Sequence, residues 1–344
     1  MIFAALPDPS PTGDVLFNFL SILFEGAPYI LIGTLLSGFI DAFLPAKLLE
    51  KLLPKNKIVS TFAAGFLGLI FPVCECAVVP VVRRLVQKGL PLSCALTYLL
   101  SAPIINPIVV ISTMTAFKEF QNVQAFSDMG MTLARISLGY VIAVVVGLFI
   151  LKKRPEQVLT DRVAAGIAGA GGAGGHGTPQ GFDSKLTHAM RTAMRDFLDT
   201  AMYFAIGVMI TSVFNTQVDQ SRIEAVAVHE YFAIPSRMGL AFVLALCSTS
   251  DAFIAAPMAM PEGGLASAAK LAFLVFGPML DVKLVFMYAS VFRRKFLIGL
   301  CVALFLLVGL LSKPWALLFQ FPDKPNKAGA AAVEAPATLP AAKP

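Results

Sequence analysis

Long, almost uncharged apolar runs constrain this chain more than any other feature of its sequence. Runs that reach the roughly 20 residues needed to cross a bilayer recur along it, among them 15–44, 90–117 and 131–151. Of the 344 residues, 57% are hydrophobic and only 14% are charged, which excludes a soluble globular domain. Because a helix satisfies its own backbone groups in lipid, the sequence predicts an all-α, multi-pass membrane protein.

Several classes of function are disfavoured by what the sequence lacks. No Gly-x-x-x-x-Gly-Lys-Ser/Thr phosphate loop occurs, so the chain has no recognisable ATPase of its own. We expect no cleavable signal peptide, because the N-terminus lacks a basic segment, and no secreted disulfide framework, because most of the five cysteines lie in or beside apolar runs. The three histidines are scattered, so we expect no histidine-based metal site. We also expect no cofactor and no nucleic-acid partner.

The apolar run 58–82 contains the most unusual segment of the chain, Phe71-Pro-Val-Cys-Glu-Cys-Ala-Val-Val-Pro80. Proline removes a backbone donor and clashes with the preceding turn, so a helix is not expected to pass smoothly through either flanking proline. Backbone groups bared at membrane depth are tolerated only inside protein or beside a wet cavity. An ionisable residue there, such as Glu75, is a functional-site hypothesis by default.

The spacing of the two thiols favours an extended conformation for this segment. On a helix, Cys74 and Cys76 would point about 200° apart, whereas residues i and i+2 of an extended segment point to the same side. We therefore expect an unwound strip with both thiols on one side and Glu75 on the other. The plainer alternative is that both cysteines are small packed hydrophobes, which leaves Glu75 unexplained.

The order of these features repeats after residue 188. An offset of 175 places Ala102-Pro-Ile-Ile-Asn106 over Gly277-Pro-Met-Leu-Asp281, and Cys74-Glu-Cys76 over Thr249-Ser-Asp251. An offset of 174 places Glu25–Gly33 over Asp199–Gly207. Agreement in nearly one register predicts a duplicated unit of roughly 130 residues.

The distribution of positive charge predicts the topology of the two units. If the broken runs 58–82 and 238–260 each enter and leave on the same face, most of the 27 Lys and Arg residues lie on the cytoplasmic side. The predicted fold is then two inverted repeats, each with three crossings plus one broken re-entrant segment. That arrangement is typical of secondary transporters, with the site near the bilayer midplane.

We therefore divide the chain into five predicted parts. They are an extracytoplasmic N-terminus (1–14), the first membrane repeat (15–151), a cytoplasmic Gly/Ala-rich linker (152–188), the second membrane repeat (189–320) and a disordered C-terminal tail (321–344).

The repeat register also predicts which side chains form the site. Thiolates select soft, thiophilic species, whereas carboxylates suit hard cations and protons. Without an ATP site, uphill movement would draw on an ion gradient, and we predict that Glu75 and Asp251 carry the coupling proton. Equally open is that Glu75 only caps bared backbone amides. The residues predicted to bind substrate are Cys74, Glu75, Cys76, Asn106, Ser248, Ser250, Asp251 and Asp281.

The block from Pro72 to Pro91, followed by Ala102-Pro-Ile-Ile-Asn-Pro107, resembles a bacterial family of predicted permeases that includes the organoarsenical efflux permease ArsP. The resemblance covers most of residues 15–320. It implies a permease of the bacterial inner membrane and, in the ArsP branch, export of trivalent organoarsenicals through a thiol-dependent site. ArsP-like members carry Cys-Ser-Cys-Ser where this chain has Cys74-Glu-Cys-Ala77, so the chain is more similar to a Cys-Glu-Cys branch.

Two functions from different classes remain open at this point. The first is a secondary transporter, and not an enzyme, that moves a small thiophilic or anionic solute such as a trivalent arsenical or a sulfur compound. Its expected partners are that solute, the lipid bilayer and a second copy of the chain. The second is a membrane thiol oxidoreductase that uses Cys74 and Cys76, although no resolving or cofactor partner is evident. A channel or scaffold role comes third.

Overall fold

The computed structural model describes residues 11–43, 54, 56–71, 73–120, 125–153, 155–161, 163–164, 182–217, 233–256 and 266–318. These residues form helices and contain no strand, apart from one isolated bridge between Leu159 and Phe292. The protein is therefore all-α, as the sequence predicts. Of the predicted parts, most of segment 1–14, the centre of the linker 152–188 and the tail 321–344 lie outside the described residues.

The helices fall into two series that follow the same order. The first series is α1 (Pro11–Phe43), α2 (Lys57–Ala64), α3 (Leu67–Ile70), α4 (Glu75–Gln87), α5 (Leu92–Ser101), α6 (Pro107–Phe120), α7 (Ala125–Ile150) and the short α8 (Pro155–Val158). The second series is α9 (Phe182–Gln217), α10 (Ala233–Leu244), α11 (Asp251–Ala255), α12 (Ala266–Met279), α13 (Val282–Ala289) and α14 (Arg294–Leu318).

Five segments of the described chain are long and apolar enough to cross a bilayer. They are Thr12–Phe43, Met129–Ile150, Asp183–Gln217, Ser267–Ala289 and Arg294–Leu318. These segments make the protein a multi-pass membrane protein, in agreement with the sequence.

Helices α5 and α6 together run alongside α7. Gly147 of α7 packs on Thr97 of α5, and Gly139 packs on Ile104 between the two helices. Arg135 lies on α7 on the N-terminal side of both glycines, and its Nη1 donates to Thr113 Oγ1 of α6 at 2.7 Å. Helix α7 is therefore antiparallel to α5 and α6.

The first broken run starts and finishes at the same end of the helix bundle. The hydroxyl of Ser60, early in α2, lies 3.1 Å from the sulfur of Cys94, early in α5. Farther along, the hydroxyl of Ser101 donates to the carbonyl of Gly65 at 2.9 Å. Helix α2 is thus parallel to α5, which begins directly after the tight turn at Gly89 that ends α4. These contacts agree with a re-entrant path for residues 57–87.

The second broken run packs in a related way. Gly277 of α12 lies against the side chain of Ala241 of α10, and Lys270, early in α12, donates to the carbonyl of Ala256 just after α11. Ala241 lies 176 residues after Gly65, and Gly277 lies 176 residues after Ser101, which is within one residue of the repeat offset of 175. The helix order supports a duplicated unit, whereas the inverted relation of the two units stays a prediction.

The long first helices of the two series depart from this correspondence. Gly33 of α1 packs on Ala77 of α4, whereas its counterpart Gly207 of α9 packs on Lys283 of α13, not on α11. Gly38 of α1 also lies against the backbone of Ala189 of α9. Helices α1 and α9 therefore pair with each other and together cover one side of the core, beside α4 and α13.

The prediction of an extended strip around the two thiols is wrong. Cys74 is extended, with φ −73° and ψ 171°, but Glu75 and Cys76 already belong to the first turn of α4. The helix continues through Pro80, while Pro72 lies outside the described residues. Proline at position 80 removes the donor to the carbonyl of Cys76, and a bared carbonyl is tolerated there because this helix end borders a cavity.

Candidate functional site

A cavity of about 210 Å³ lies where the two broken runs meet. It is bounded by the first turn of α4 and by the break between α10 and α11, and its other sides are formed by α1, α9 and α13. Both halves of the chain therefore contribute to one space. The lining residues are Asn18, Ile22, Glu25, Gly26, Tyr29, Cys74, Glu75, Cys76, Phe204, Asn215, Leu244, Ala245, Leu246, Cys247, Ser250 and Lys283.

Three thiols line this cavity, and they come from both halves. Cys74 precedes α4, Cys76 lies in its first turn, and Cys247 lies in the second break. Cys74 and Cys247 are partly exposed, whereas Cys76 is buried. The hydroxyl of Thr249 donates to the sulfur of Cys247 at 3.5 Å and orients it. A thiophilic solute in the cavity would meet thiols on two sides.

Glu75 joins the two breaks through its two carboxylate oxygens. Its Oε2 accepts a hydrogen bond from Ser248 Oγ at 2.8 Å, and its Oε1 lies 3.3 Å from Lys283 Nζ. The Glu75 residue is 1% exposed and Ser248 is fully buried. A buried carboxylate requires such partners, because charge taken out of water without compensation is costly.

Lys283 also contacts the second break and a second carboxylate. Its Nζ donates to the carbonyls of Ala245 at 2.9 Å and Leu246 at 3.3 Å, and lies 3.5 Å from Asp281 Oδ2. Two buried carboxylates, Glu75 and Asp281, thus share one ammonium group. The net charge of these three groups, when all are ionised, is −1.

A second buried ion pair lies behind the break, away from the cavity lining. Arg135 Nη2 is 2.6 Å from Asp251 Oδ2 and 3.3 Å from the carbonyl of Ser248. Arg135 and Asp251 are 1% and 2% exposed. The hydroxyl of Ser112 on α6 donates to the carbonyl of Thr249. The ion pair and the hydrogen bond from Ser112 together hold α7 and α6 against the second break. They also satisfy the carbonyls of Ser248 and Thr249, which the break leaves without helical partners.

Asn106 and Asp281, the matched pair predicted from the repeat, both act as helix caps. Asn106 Oδ1 accepts from the amide of Ile108 at 3.0 Å at the start of α6. Asp281 Oδ1 accepts from the amide of Leu284 at 2.7 Å at the start of α13. Asn106 Nδ2 also lies 3.5 Å from the carbonyl of Val73 in the first break. Each cap satisfies an amide that has no partner within its helix.

The predicted substrate-binding residues therefore separate into two groups. Cys74, Glu75, Cys76 and Ser250 line the cavity, and Ser248 contacts Glu75 directly. Asn106, Asp251 and Asp281 are buried next to this group but do not belong to the lining.

The walls formed by α1 and α9 add polar groups to the cavity. Glu25 and Tyr29 line it from α1, and Asn215 lines it from α9. A Cβ atom on Gly26 would come within 2.3 Å of the ring of Phe204, so glycine is required for α1 to approach α9 so closely. Polar side chains therefore reach the cavity from both long helices.

One end of the α1–α4–α9 interface is closed by an ion cluster. Arg84 of α4 donates to both carboxylate oxygens of Asp196 of α9, at 2.9 Å each, and Ser37 of α1 donates to the same carboxylate at 2.8 Å. Asp41 of α1 lies 3.9 Å from Arg84 and 3.5 Å from Lys88. Bidentate pairs of this kind are the geometrically specific ones. The three helices are therefore held together at this end.

Among the described residues, no group of three or more His, Cys, Asp or Glu side chains is placed to hold a metal ion.

Comparison with known proteins identifies the family. Residues 13–313 match the ArsP_1 family model, which is described as a predicted permease. The chain belongs to this permease family.

Two curated relatives match this permease-family chain over most of their own length. The UPF0718 protein YcgR of Bacillus subtilis is 34% identical over 278 residues, which cover 81% of this chain and 88% of YcgR. A Streptococcus mutans protein, named as a candidate subunit of a two-component membrane permease complex, is 33% identical over 290 residues, which cover 84% of this chain and 91% of that protein. No solved structure matches the chain.

The sequence did not identify three residues that matter to the site of this permease-family protein. Cys247 has Pro72 as its counterpart at the offset of 175, so the repeat alignment gave no reason to select it. Arg135 and Lys283 each place a charge inside an apolar segment, which is by itself a signal of function. Their partners Asp251 and Glu75, however, come from elements distant in sequence.

Proposed function

We propose that the protein is a secondary transporter that moves a small thiophilic solute through the cavity between the two broken runs. The observation that carries this proposal is the presence of Cys74, Cys76 and Cys247 in one membrane-embedded cavity. Thiols are the side chains that select soft species, and both halves of the chain supply them. The membership of the permease family supports transport as the general function.

The position of the thiols at two helix breaks also supports transport. In secondary transporters, discontinuous helices meet at the substrate site, and movement of one half against the other exposes that site to alternate faces. Here Cys74 and Cys247 stand at the two breaks, so relative movement of the halves would change the distance between them. A solute bound by both thiols would therefore couple its own binding to that movement.

The ion cluster of Arg84, Asp41 and Asp196 suits a gate at one end of the pathway. We propose that this end faces the cytoplasm, because it belongs to the positively charged segments of the chain. Opening of this gate would separate α1 and α4 from α9. The solute site between the breaks would then be reached from the cytoplasm.

We propose that Glu75 carries the coupling proton, since it lines the cavity and touches both halves. Asp251 remains the second candidate. Its placement beside Arg135, outside the cavity lining, favours a role in holding the second break over a role in proton transfer.

The family and the name of one relative support a proposal about the membrane and the partners of the protein. We propose that the protein acts in the cytoplasmic (inner) membrane of a bacterium. The Streptococcus mutans relative is named as one subunit of a two-component complex, so a second membrane component is a partner to seek, besides a second copy of this chain.

The proposal is tested by transport into everted membrane vesicles from cells that produce the protein. The probe is phenylarsenite, a trivalent organoarsenical with high affinity for thiols. Wild-type vesicles should accumulate it in an energy-dependent way, and Cys74→Ser, Cys76→Ser and Cys247→Ser should each reduce accumulation by about tenfold or more. The matched control is Cys301→Ser, because Cys301 lies on α14 and outside the cavity lining.

Normal accumulation in all three cavity variants would remove the thiols from the mechanism. A disulfide between Cys74 and Cys76 that forms and is reduced during turnover would instead favour the thiol oxidoreductase.

A further inference from the structure

The ammonium group of Lys283 is surrounded by oxygen atoms in the manner of a bound cation. Backbone carbonyls supply two of them, from Ala245 at 2.9 Å and from Leu246 at 3.3 Å. Carboxylates supply two more, Glu75 Oε1 at 3.3 Å and Asp281 Oδ2 at 3.5 Å. The Lys283 side chain is 5% exposed, so water contributes little to its solvation.

Contacts other than those with Lys283 also hold these oxygen atoms in place. Ala245 follows the last residue of α10 in a left-handed conformation, with φ 47°, which is sterically unfavourable for a non-glycine residue. Asp281 is fixed as the cap of α13, and Glu75 is fixed by the hydroxyl of Ser248. The backbone of Lys283 itself is packed against Gly207.

Such a set of oxygens is what a hard monovalent cation requires. Hard cations take carboxylate and carbonyl oxygens as ligands. In transporters with discontinuous helices, the carbonyls bared by the break are the groups that coordinate Na⁺. Here two bared carbonyls and two buried carboxylates point to one position, and an ammonium group fills it.

We propose that this position is a monovalent-cation site in which Lys283 is the built-in occupant. In the wild-type protein the ammonium group excludes Na⁺ and neutralises one of the two carboxylates. Truncation of Lys283 leaves four oxygens and two buried negative charges around an open space, and Na⁺ then enters it. This position borders the same cavity as the thiols, but the inference does not depend on which solute the protein moves.

The test uses the purified full-length protein in detergent and needs no transported solute. Thermal unfolding midpoints are compared in 100 mM NaCl and in 100 mM choline chloride for the wild type and Lys283→Ala. The proposal predicts that Na⁺ raises the midpoint of Lys283→Ala by at least about 2 °C, because an ion that binds only the folded state stabilises it. The wild type should give the same midpoint in both salts.

Three further variants make the result specific. Lys283→Ser leaves a similar space and should respond to Na⁺ as Lys283→Ala does. The double variant Lys283→Ala with Glu75→Gln removes a charged ligand and should lose most of the response. Lys88→Ala removes an ammonium group from a partly exposed carboxylate, where Na⁺ stays hydrated, and should show no response.

The proposal is overturned if folded Lys283→Ala or Lys283→Ser shows no Na⁺ response, or if the wild type is stabilised by Na⁺ but not by choline. If both variants can be purified only in Na⁺ buffers, the ion replaces the missing ammonium as proposed. If neither is recovered even with Na⁺, the ion does not take its place and the inference fails.

Discussion

The hydroxyl of Ser248 donates a hydrogen bond of 2.8 Å to the carboxylate of Glu75, and so connects the two broken runs directly. Lys283 bridges the same two elements, from Glu75 to the carbonyls of Ala245 and Leu246. The thiols of Cys74 and Cys247 flank these contacts at the edge of one cavity. In the proposed transport cycle, these polar contacts would rearrange together as the two halves move.

Neutralisation of the two candidate proton carriers should have different effects. Glu75→Gln keeps a hydrogen-bonding side chain that cannot titrate, so uphill transport of phenylarsenite should fall by about tenfold or more while exchange of bound solute continues. Asp251→Asn should mainly weaken the pair with Arg135 and lower the thermal midpoint. Vesicle transport with and without a pH gradient measures the first effect, and unfolding in detergent measures the second. Normal pumping by both variants with unchanged pH dependence would exclude the proton role.

The ion cluster at the closed end should depend on Arg84 far more than on its neighbour Arg83. Arg84 makes two hydrogen bonds with Asp196, whose side chain is 3% exposed, so Arg84→Ala leaves a buried carboxylate without its main partner. We expect a loss of about 2–3 kcal/mol, somewhat below that of a fully buried pair. Arg83 pairs with the exposed Asp199, and Arg83→Ala should cost less than about 1 kcal/mol. Equal midpoints for the two variants would show that the cluster does not hold this end.

The left-handed residue at the second break makes a prediction about stability. Ala245→Gly should raise the unfolding midpoint slightly, because glycine adopts φ 47° without the steric cost that alanine carries. Ala245→Val should lower it, since a β-branched side chain is strongly disfavoured in this conformation. Both effects are read from thermal unfolding in detergent. A stable Val variant would mean that the backbone at this position is not left-handed.

The re-entrant path of the first broken run predicts that Lys57 and Arg84 lie on the same face of the membrane, which we expect to be the cytoplasmic face. The reason is that α2 is parallel to α5, which begins where α4 ends. Single cysteines at position 57 and at position 88, one turn beyond Arg84 at the end of α4, are introduced in a background that lacks all five native cysteines. Both should be labelled by an impermeant reagent from the same side. Labelling from opposite sides would require a full crossing and would exclude the re-entrant path.

Apolar runs broken by prolines and acidic residues were enough to predict the helical membrane fold and to direct attention to Cys74, Glu75 and Cys76. The conformation of that segment was predicted wrongly, because spacing alone cannot show that a helix starts at Glu75 and tolerates Pro80 beside a cavity. The sequence did contain a local signal for the capping role of Asn106, which was predicted instead to bind substrate. Asn106 directly precedes Pro107, and asparagine followed by proline is typical of a helix cap and first helical residue.

The remaining features depend on contacts between distant elements. Nothing in the sequence around Arg135 identifies Asp251 as its partner, and the repeat alignment places no thiol opposite Cys247. Lys283 lies two residues after Asp281 in the sequence, but its contact with Glu75 requires the packing of α13 against the start of α4. Pairings of this kind are set by tertiary structure and not by local propensity or periodicity.

The central claim, that the cavity thiols bind the solute, is tested most directly by protection of single cysteines from alkylation. Purified protein is treated briefly with N-ethylmaleimide, with and without phenylarsenite, and modification is measured by mass spectrometry for each cysteine. Cys74 and Cys247 are partly exposed, so both should react, and phenylarsenite should slow their modification by about tenfold or more; the partly exposed Cys301 should react equally fast in both conditions. Equal modification of Cys74 and Cys247 with and without phenylarsenite would contradict the account.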